Sequence, residues 1–185
     1  MDFFYRKRKD KGGTPILNEK VAQLINTQVN KEFYSAYLYL AFANYYVEQG
    51  LNGFANWYQV QAQEERDHAM LFVQYLQNNG APVTYDAIDK PEASLASHMD
   101  ALKAGLAHEQ KVTSLIHEIY GAAYEAKDYR TMQFLDWFVK EQGEEETNAS
   151  DLIKKMELFG SDAKGLYMLD QELAARTYTA PSLTL

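Results

Sequence analysis

Residues 54–75 read FANWYQVQAQEERDHAMLFVQY. Followed in helical steps of four and three, one line through the stretch is Phe54, Tyr58, Gln61, Glu65, His68, Phe72 and Tyr75. Positions three and four apart share a helix face, so this line faces a core. It is apolar at both ends and polar in the middle, with Glu65 and His68 at i and i+3. A carboxylate and an imidazole at the centre of a buried stripe need partners. The fold depends on whether other segments supply them.

They do, from three further helices. Proline occurs at 15, 82, 91 and 181 alone, which leaves two long uninterrupted stretches. Thr14-Pro15 reads as cap and first position of a first helix that ends at Gly50. Asn52 opens the second helix, which Gly80 and Pro82 stop. The segment 81–93 is a linker with two prolines. A third helix is expected from about Ser94 to Ala126, a fourth from the Asp128 cap to Gly160, and a short fifth from Ala163 to about Arg176. No alternating strand pattern competes. The first helix presents Val21, Ile25, Gln28, Glu32, Ser35, Tyr39, Phe42 and Tyr46 inward. The third presents Leu102, Leu106, Glu109, Thr113, Ile116 and Tyr120, and the fourth Leu135, Phe138, Gln142, Glu145, Ala149, Leu152, Met156 and Phe159. Every line repeats the same order of apolar, polar, apolar.

Short turns make two antiparallel hairpins, and the long linker lets the second hairpin cross over. The expectation is an all-α four-helix bundle with one long crossover and a short fifth C-terminal helix. Glu32 lies 18 residues before Gly50 and Glu65 lies 15 after it. At 1.5 Å rise per residue the hairpin puts them within about 5 Å along the axis. Glu109 and Glu145 are both 18 residues from Lys127, on opposite sides of the turn. Four carboxylates thus converge at mid-height, and they cannot all stay ionised there without a cation. Oxygen-rich ligation with one imidazole suits a hard, oxidisable metal such as iron.

The bulk numbers agree with such a domain. At 185 residues the chain is long enough for one full core, and 46% of it is apolar. The net charge of −8 disfavours a nucleic-acid partner and attracts cations. The absence of cysteine removes disulfides and thiolate sites, and fits a cytoplasmic location. No apolar run is long enough to span a membrane. Residues 1–14, with the basic cluster Arg6 to Lys9, read as a flexible extension without the apolar core of a signal peptide. The bundle domain is expected over 15–176, with a polar tail at 177–185.

Beyond these arguments, "NKEFYSAYLY", "QEERDH", "HEQKVT", "FLDWFVKEQGEEE" and "GLYMLDQEL" resemble, in order and spacing, the bacterial non-haem ferritins. The resemblance spans about residues 15–176. It implies a ferritin-like fold with a ferroxidase centre that oxidises Fe(II) with dioxygen. Glu32 and His68 would hold the first iron, Glu65 would bridge to a second held by Glu109, and Gln142 would sit beside them. Glu145 would link to a third iron, with Glu64, Glu141 and Glu144 as its further ligands. Tyr39 matches a tyrosine placed to supply an electron. A homo-oligomer of 24 subunits would enclose ferric oxyhydroxide mineral.

The chain departs from relatives that carry His where Gly143 stands. Arg66 occupies the position after the bridging glutamate where a haem-binding Met is expected, so no haem is implied. Glu146 falls off both arcs and reads as surface. Two other functions compete. A di-metal bundle that oxidises an organic substrate would need an apolar pocket at the metals, and a purely binding bundle would leave the convergent carboxylates unexplained.

Overall fold

The computed structural model describes residues 17–91 and 95–185. Among these residues five helices follow one another: α1 (Glu19–Glu48), α2 (Asn52–Asn78), α3 (His98–Glu125), α4 (Tyr129–Phe159) and α5 (Ala163–Ala174). Among the described residues there is no strand, and no helix is long and apolar enough to cross a membrane. The expected basic extension and the Thr14-Pro15 cap lie outside the described residues.

Each helix begins where a side chain can satisfy its free N–H groups. The first begins later than expected, at Glu19, because Asn18 accepts hydrogen bonds from the Lys20 and Val21 amides. The third also starts late, at His98. There the Ser97 hydroxyl accepts from Asp100 N, and the Asp100 carboxylate accepts from Ala96 N. Asp128 caps α4 as expected, and Asp162 caps α5, which ends at Ala174, short of Arg176. At the C-terminal ends Gly50 and Gly80 take φ of 75° and 71°, the left-handed conformation that glycine adopts without a Cβ penalty.

The N-terminus of α2 is capped from a distance. Leu51 offers no side-chain acceptor, and the Asp170 carboxylate of α5 accepts from Gly53 N at 2.7 Å and Phe54 N at 3.1 Å. A Cβ on Gly53 would lie 1.7 Å from the Asp170 carbonyl oxygen, so only glycine allows this approach. Asp170 is itself buried. This pair fixes α5 across the end of the bundle.

Contacts give the topology. Tyr46 stacks on Phe54, so α1 and α2 are antiparallel. Tyr39 reaches Glu109 and Tyr46 reaches His98, so α1 and α3 are antiparallel too. It follows that α2 and α3 run parallel, as the long crossover requires. Across the bundle, α2 faces α4 through Gln61–Glu145, Phe72–Phe138 and Tyr75–Phe134.

The core is two apolar clusters with a polar layer between them. One contains Val21, Ile25, Phe72, Leu76, Ile116 and Leu135; the other contains Phe42, Tyr46, Phe54, Tyr58, Leu102 and Leu152. The inward lines read from α1 and α2 are buried at every position. On α3 the buried line is Leu102, Gly105, Glu109, Val112, Ile116 and Ile119, while Leu106, Thr113 and Tyr120 are half-buried at its edge. The apolar Val112 and Ile119 are buried in place of Thr113 and Tyr120. On α4 the expected line is buried from Leu135 to Met156 except for half-buried Ala149, and Phe159 is exposed at the helix end.

Candidate metal centre

The polar layer comprises Gln28, Glu32, Ser35, Gln61, Glu65, His68, Glu109, Gln142 and Glu145, all buried. Glu32, Glu65 and His68 each offer a ligand atom, and these atoms lie within 4.8 Å of one another. α1 and α2 carry these three. Glu109 of α3 and Glu145 of α4 close the layer from the opposite hairpin.

Hydrogen bonds fix most of these carboxylates. Gln28 Nε2 donates to Glu32 Oε1 at 2.8 Å, and Gln61 Nε2 donates to Glu145 Oε2 at 2.9 Å. Tyr39 donates its phenol proton to Glu109 Oε1, while Gln142 Nε2 donates to Glu109 Oε2 at 3.1 Å. His68 Nδ1 lies 3.7 Å from Glu65 Oε2. Among the described residues Glu32 Oε2 has no hydrogen-bond partner. An orphaned buried carboxylate oxygen is costly, and it is what a cation would satisfy.

Electrostatics point the same way. Burial pushes the Glu32 carboxyl well above the usual carboxylate range, and the neighbouring Glu65 charge adds to the shift. Glu65 is raised by burial and then by the Glu109 and Glu145 charges. Burial raises Glu109, while its Tyr39 and Gln142 hydrogen bonds oppose the rise. Glu145 is pushed up to about 7 by burial and the Glu109 charge, against the pull of His68 and Gln61. The layer thus favours protons or a cation over bare charges. Burial and the Glu109 charge also raise Tyr39 well above the usual phenol value, so it remains a donor.

The outer acidic residues separate into distinct environments. Glu141 is half-buried, with one oxygen 4.0 Å from His68 Nε2. Glu64 is held by Arg176 Nη2 at 2.6 Å. Glu144 is exposed and pairs with Lys140 at 3.5 Å. Glu146, read as plain surface, is half-buried and accepts from Thr113 Oγ1 at 2.6 Å. Gly143 is exposed, with nothing near the position of an added Cβ.

His108 binds the Ser35 hydroxyl through Nε2 at 2.8 Å, and burial lowers its pKa to about 4. It braces the aromatic wall beside Tyr39. Sequence reasoning missed the support that Gln28 gives Glu32, although Gln28 stands on the inward line. It also missed Arg176, whose partners lie more than 110 positions away. Between Tyr39, Tyr58, Gln61, Glu109 and Glu145 the structure leaves a cavity of about 20 Å³. That is room for about one water, and none for an organic substrate.

Known proteins share this architecture. The ferritin-like domain family matches residues 22–159. A probable bacterial non-heme ferritin-like protein of Haemophilus influenzae is 37% identical over 158 residues, spanning 85% of this chain and 96% of its own. The bacterial non-heme ferritin of Staphylococcus saprophyticus is 37% identical over 163 residues, spanning 88% and 98%. Among solved structures, an open-pore ferritin from the hyperthermophilic archaeon Archaeoglobus fulgidus superimposes with a TM-score of 0.86 at 41% identity. It covers 89% of this chain and 100% of that one. Identities of this size along nearly the whole of both chains, on one helical architecture, make this chain a member of the ferritin family.

Proposed function

We propose that the protein is an iron-storage ferritin that oxidises Fe(II) with dioxygen at the mid-bundle centre and keeps the product as ferric oxyhydroxide mineral. The observation that carries the assignment is the orphaned Glu32 Oε2 beside Glu65 and His68, inside a bundle that belongs to the ferritin family. Three buried donors, two of them anionic oxygens, fit a hard divalent cation.

Iron is the substrate. Glu32 and His68 would bind one Fe(II), Glu65 would bridge, and Glu109 would bind a second, with Gln142 fixing the Glu109 carboxylate. Hard anionic oxygen favours Fe(III) over Fe(II), so the same ligands lower the barrier to electron loss. Burial favours the protonated form of these carboxylates while iron is absent, so iron binding releases whatever protons they hold. Tyr39 would supply an electron, its phenol proton passing to Glu109 along the hydrogen bond it donates. Glu145, Glu64, Glu141 and Glu144 would form an outer site towards which product iron moves.

Storage requires an enclosure, and we assign the working form to a homo-oligomeric cage of 24 subunits without haem, in the cytoplasm. Residues 177–185 would follow the bundle domain as a C-terminal tail laid against it. The organic-substrate alternative has no support in a cavity of about 20 Å³. Stopped-flow absorbance of Fe(III) in wild type, Glu65→Ala and His68→Ala tests the centre. We expect each variant to lose the fast phase by about 10²-fold or more, as removal of metal ligands or their supports does elsewhere. Wild-type rates in both variants would refute the assigned centre.

A further inference from the structure

Beyond α5 the chain does not leave the bundle. Arg176, Tyr178, Pro181 and Leu183 are half-buried, while Thr177, Thr179, Ala180 and Ser182 are exposed, so side chains alternate between bundle and solvent except at Thr179-Ala180. Asn56 Nδ2 donates to the Arg176 carbonyl at 2.9 Å, which fixes the start of the segment on α2. Tyr178 donates to Asp67 one turn beyond Glu64. Trp137 Nε1 donates to Ser182 Oγ at 3.0 Å, and Leu183 packs on the apolar cluster that contains Phe72, Ile116 and Phe138. The Trp137 ring in turn stands edge-on to His68, with centroids 5.5 Å apart. Residues 176–183 therefore form a strap from α2 to α4, beside the candidate metal centre.

Arg176 is the part of the strap that meets the acidic residues. Its guanidinium carbon lies 4.0 Å from the Trp57 ring centroid, and Nη1 donates to the Trp57 carbonyl at 3.2 Å. Nη2 donates to Glu64 Oε2 at 2.6 Å and to Gln61 Oε1. Both side chains of the Arg176–Glu64 pair are only 17% exposed, unlike an ordinary surface ion pair. Stacking, backbone and carboxylate contacts together hold the planar fork in one orientation. Gln61 carries the arrangement inward: its oxygen accepts from Arg176 while its amide donates to Glu145. Only one orientation of that amide serves both neighbours.

We propose that Arg176 is a tethered cation seated in the outer iron site, and that a metal ion binds at Glu64 only by displacing it and loosening the strap. The inference rests on the outer-site reading given above. An arginine cannot leave by losing a proton, so displacement has to be mechanical. Metal occupancy at Glu64 and seating of the strap then oppose one another by the same factor in both directions. Release of Arg176 also frees the Gln61 oxygen and the side chain that orients Glu145. Filling of the outer site would thus be reported at the carboxylate that faces the inner pair. The strap sets how readily iron passes outward from that pair.

The test uses the full-length assembled protein and Zn(II), which binds these ligands without being oxidised. Calorimetric titration compares wild type with Arg176→Gln, and anomalous diffraction locates the ions. We expect the inner sites to fill with unchanged affinity and the ion at Glu64 to bind about tenfold more tightly in the variant, the scale of one charge-assisted contact. Hydrogen–deuterium exchange of the 175–185 peptide in wild type should accelerate when the Glu64 ion binds, and not when the inner sites fill. That measurement needs no variant and decides the matter alone if Arg176→Gln does not assemble. An ion at Glu64 with equal affinity in both proteins, and tail exchange unaffected by it, overturns the proposal and leaves the outer site standing. No ion at Glu64 in either protein overturns both.

Discussion

One oxygen of Glu32 is buried without a partner while the other accepts from Gln28. Glutamine on one side and an unpaired oxygen on the other make Glu32 a candidate ligand. The same logic gives a pH prediction. Glu32, Glu65, Glu109 and Glu145 have folded-state pKa values above those of free glutamate. Their contribution to stability is therefore complete below the unfolded value of about 4.3 and is lost as pH rises through the folded values. For Glu145 that window ends at about 7. Metal-free Glu145→Gln, which cannot ionise, should melt above wild type by roughly 3 °C at pH 7.5, with the gap closing at pH 5. Parallel melting curves across that range would contradict the assignment.

Tyr39 and Gly143 give two more tests at this scale. Tyr39→Phe removes the phenol that donates to Glu109 and keeps the ring that packs on Phe42 and Tyr58. We expect Zn(II) affinity within about threefold of wild type and a fast oxidation phase slowed by about tenfold, as for a lost redox or proton-transfer partner. Equal loss of both would reduce Tyr39 to packing. Gly143 sits mid-helix with open space around it, so Gly143→Ala should raise stability by about 1 kcal/mol in chemical denaturation. A loss of stability would mean that this turn of α4 depends on glycine.

At the scale of elements, local pattern was legible and distant pairing was not. Every inward position of α1 and α2 was readable from steps of three and four, because burial there follows helix geometry alone. Helix starts were less readable, since several residues near each end can serve as a cap. Asn18 and Ser97 took the role from neighbours upstream. Nothing in the sequence announces that Asp170 caps α2 across 116 and 117 positions, nor that Arg176 reaches Glu64 across 112. Such contacts exist only once the helices are packed. Asp170→Ala should cost about 1–2 kcal/mol as a lost N-cap and raise hydrogen exchange in α5. An unchanged exchange pattern would show that α5 docks without that cap.

At the scale of the molecule, two apolar clusters carry stability, and the polar layer between them holds the candidate metal centre. The polar layer at mid-bundle was legible from residue offsets to the turns, because antiparallel hairpins convert those offsets into depth. The offsets did not reveal which outer glutamates are free. Glu64 is tied to Arg176, Glu144 to Lys140 and Glu146 to Thr113, while Glu141 alone approaches His68. Oligomerisation lies above this scale, and the claim of storage depends on it.

The most direct test of that claim is to add Fe(II) in air to the purified apoprotein, follow Fe(III) absorbance, and then measure retained iron and elution size on the same sample. A storage ferritin should oxidise rapidly at low loading and hold iron far in excess of its binding residues, in a species of cage size. Uptake that stops at about two irons per subunit, in a small oligomer, would contradict it.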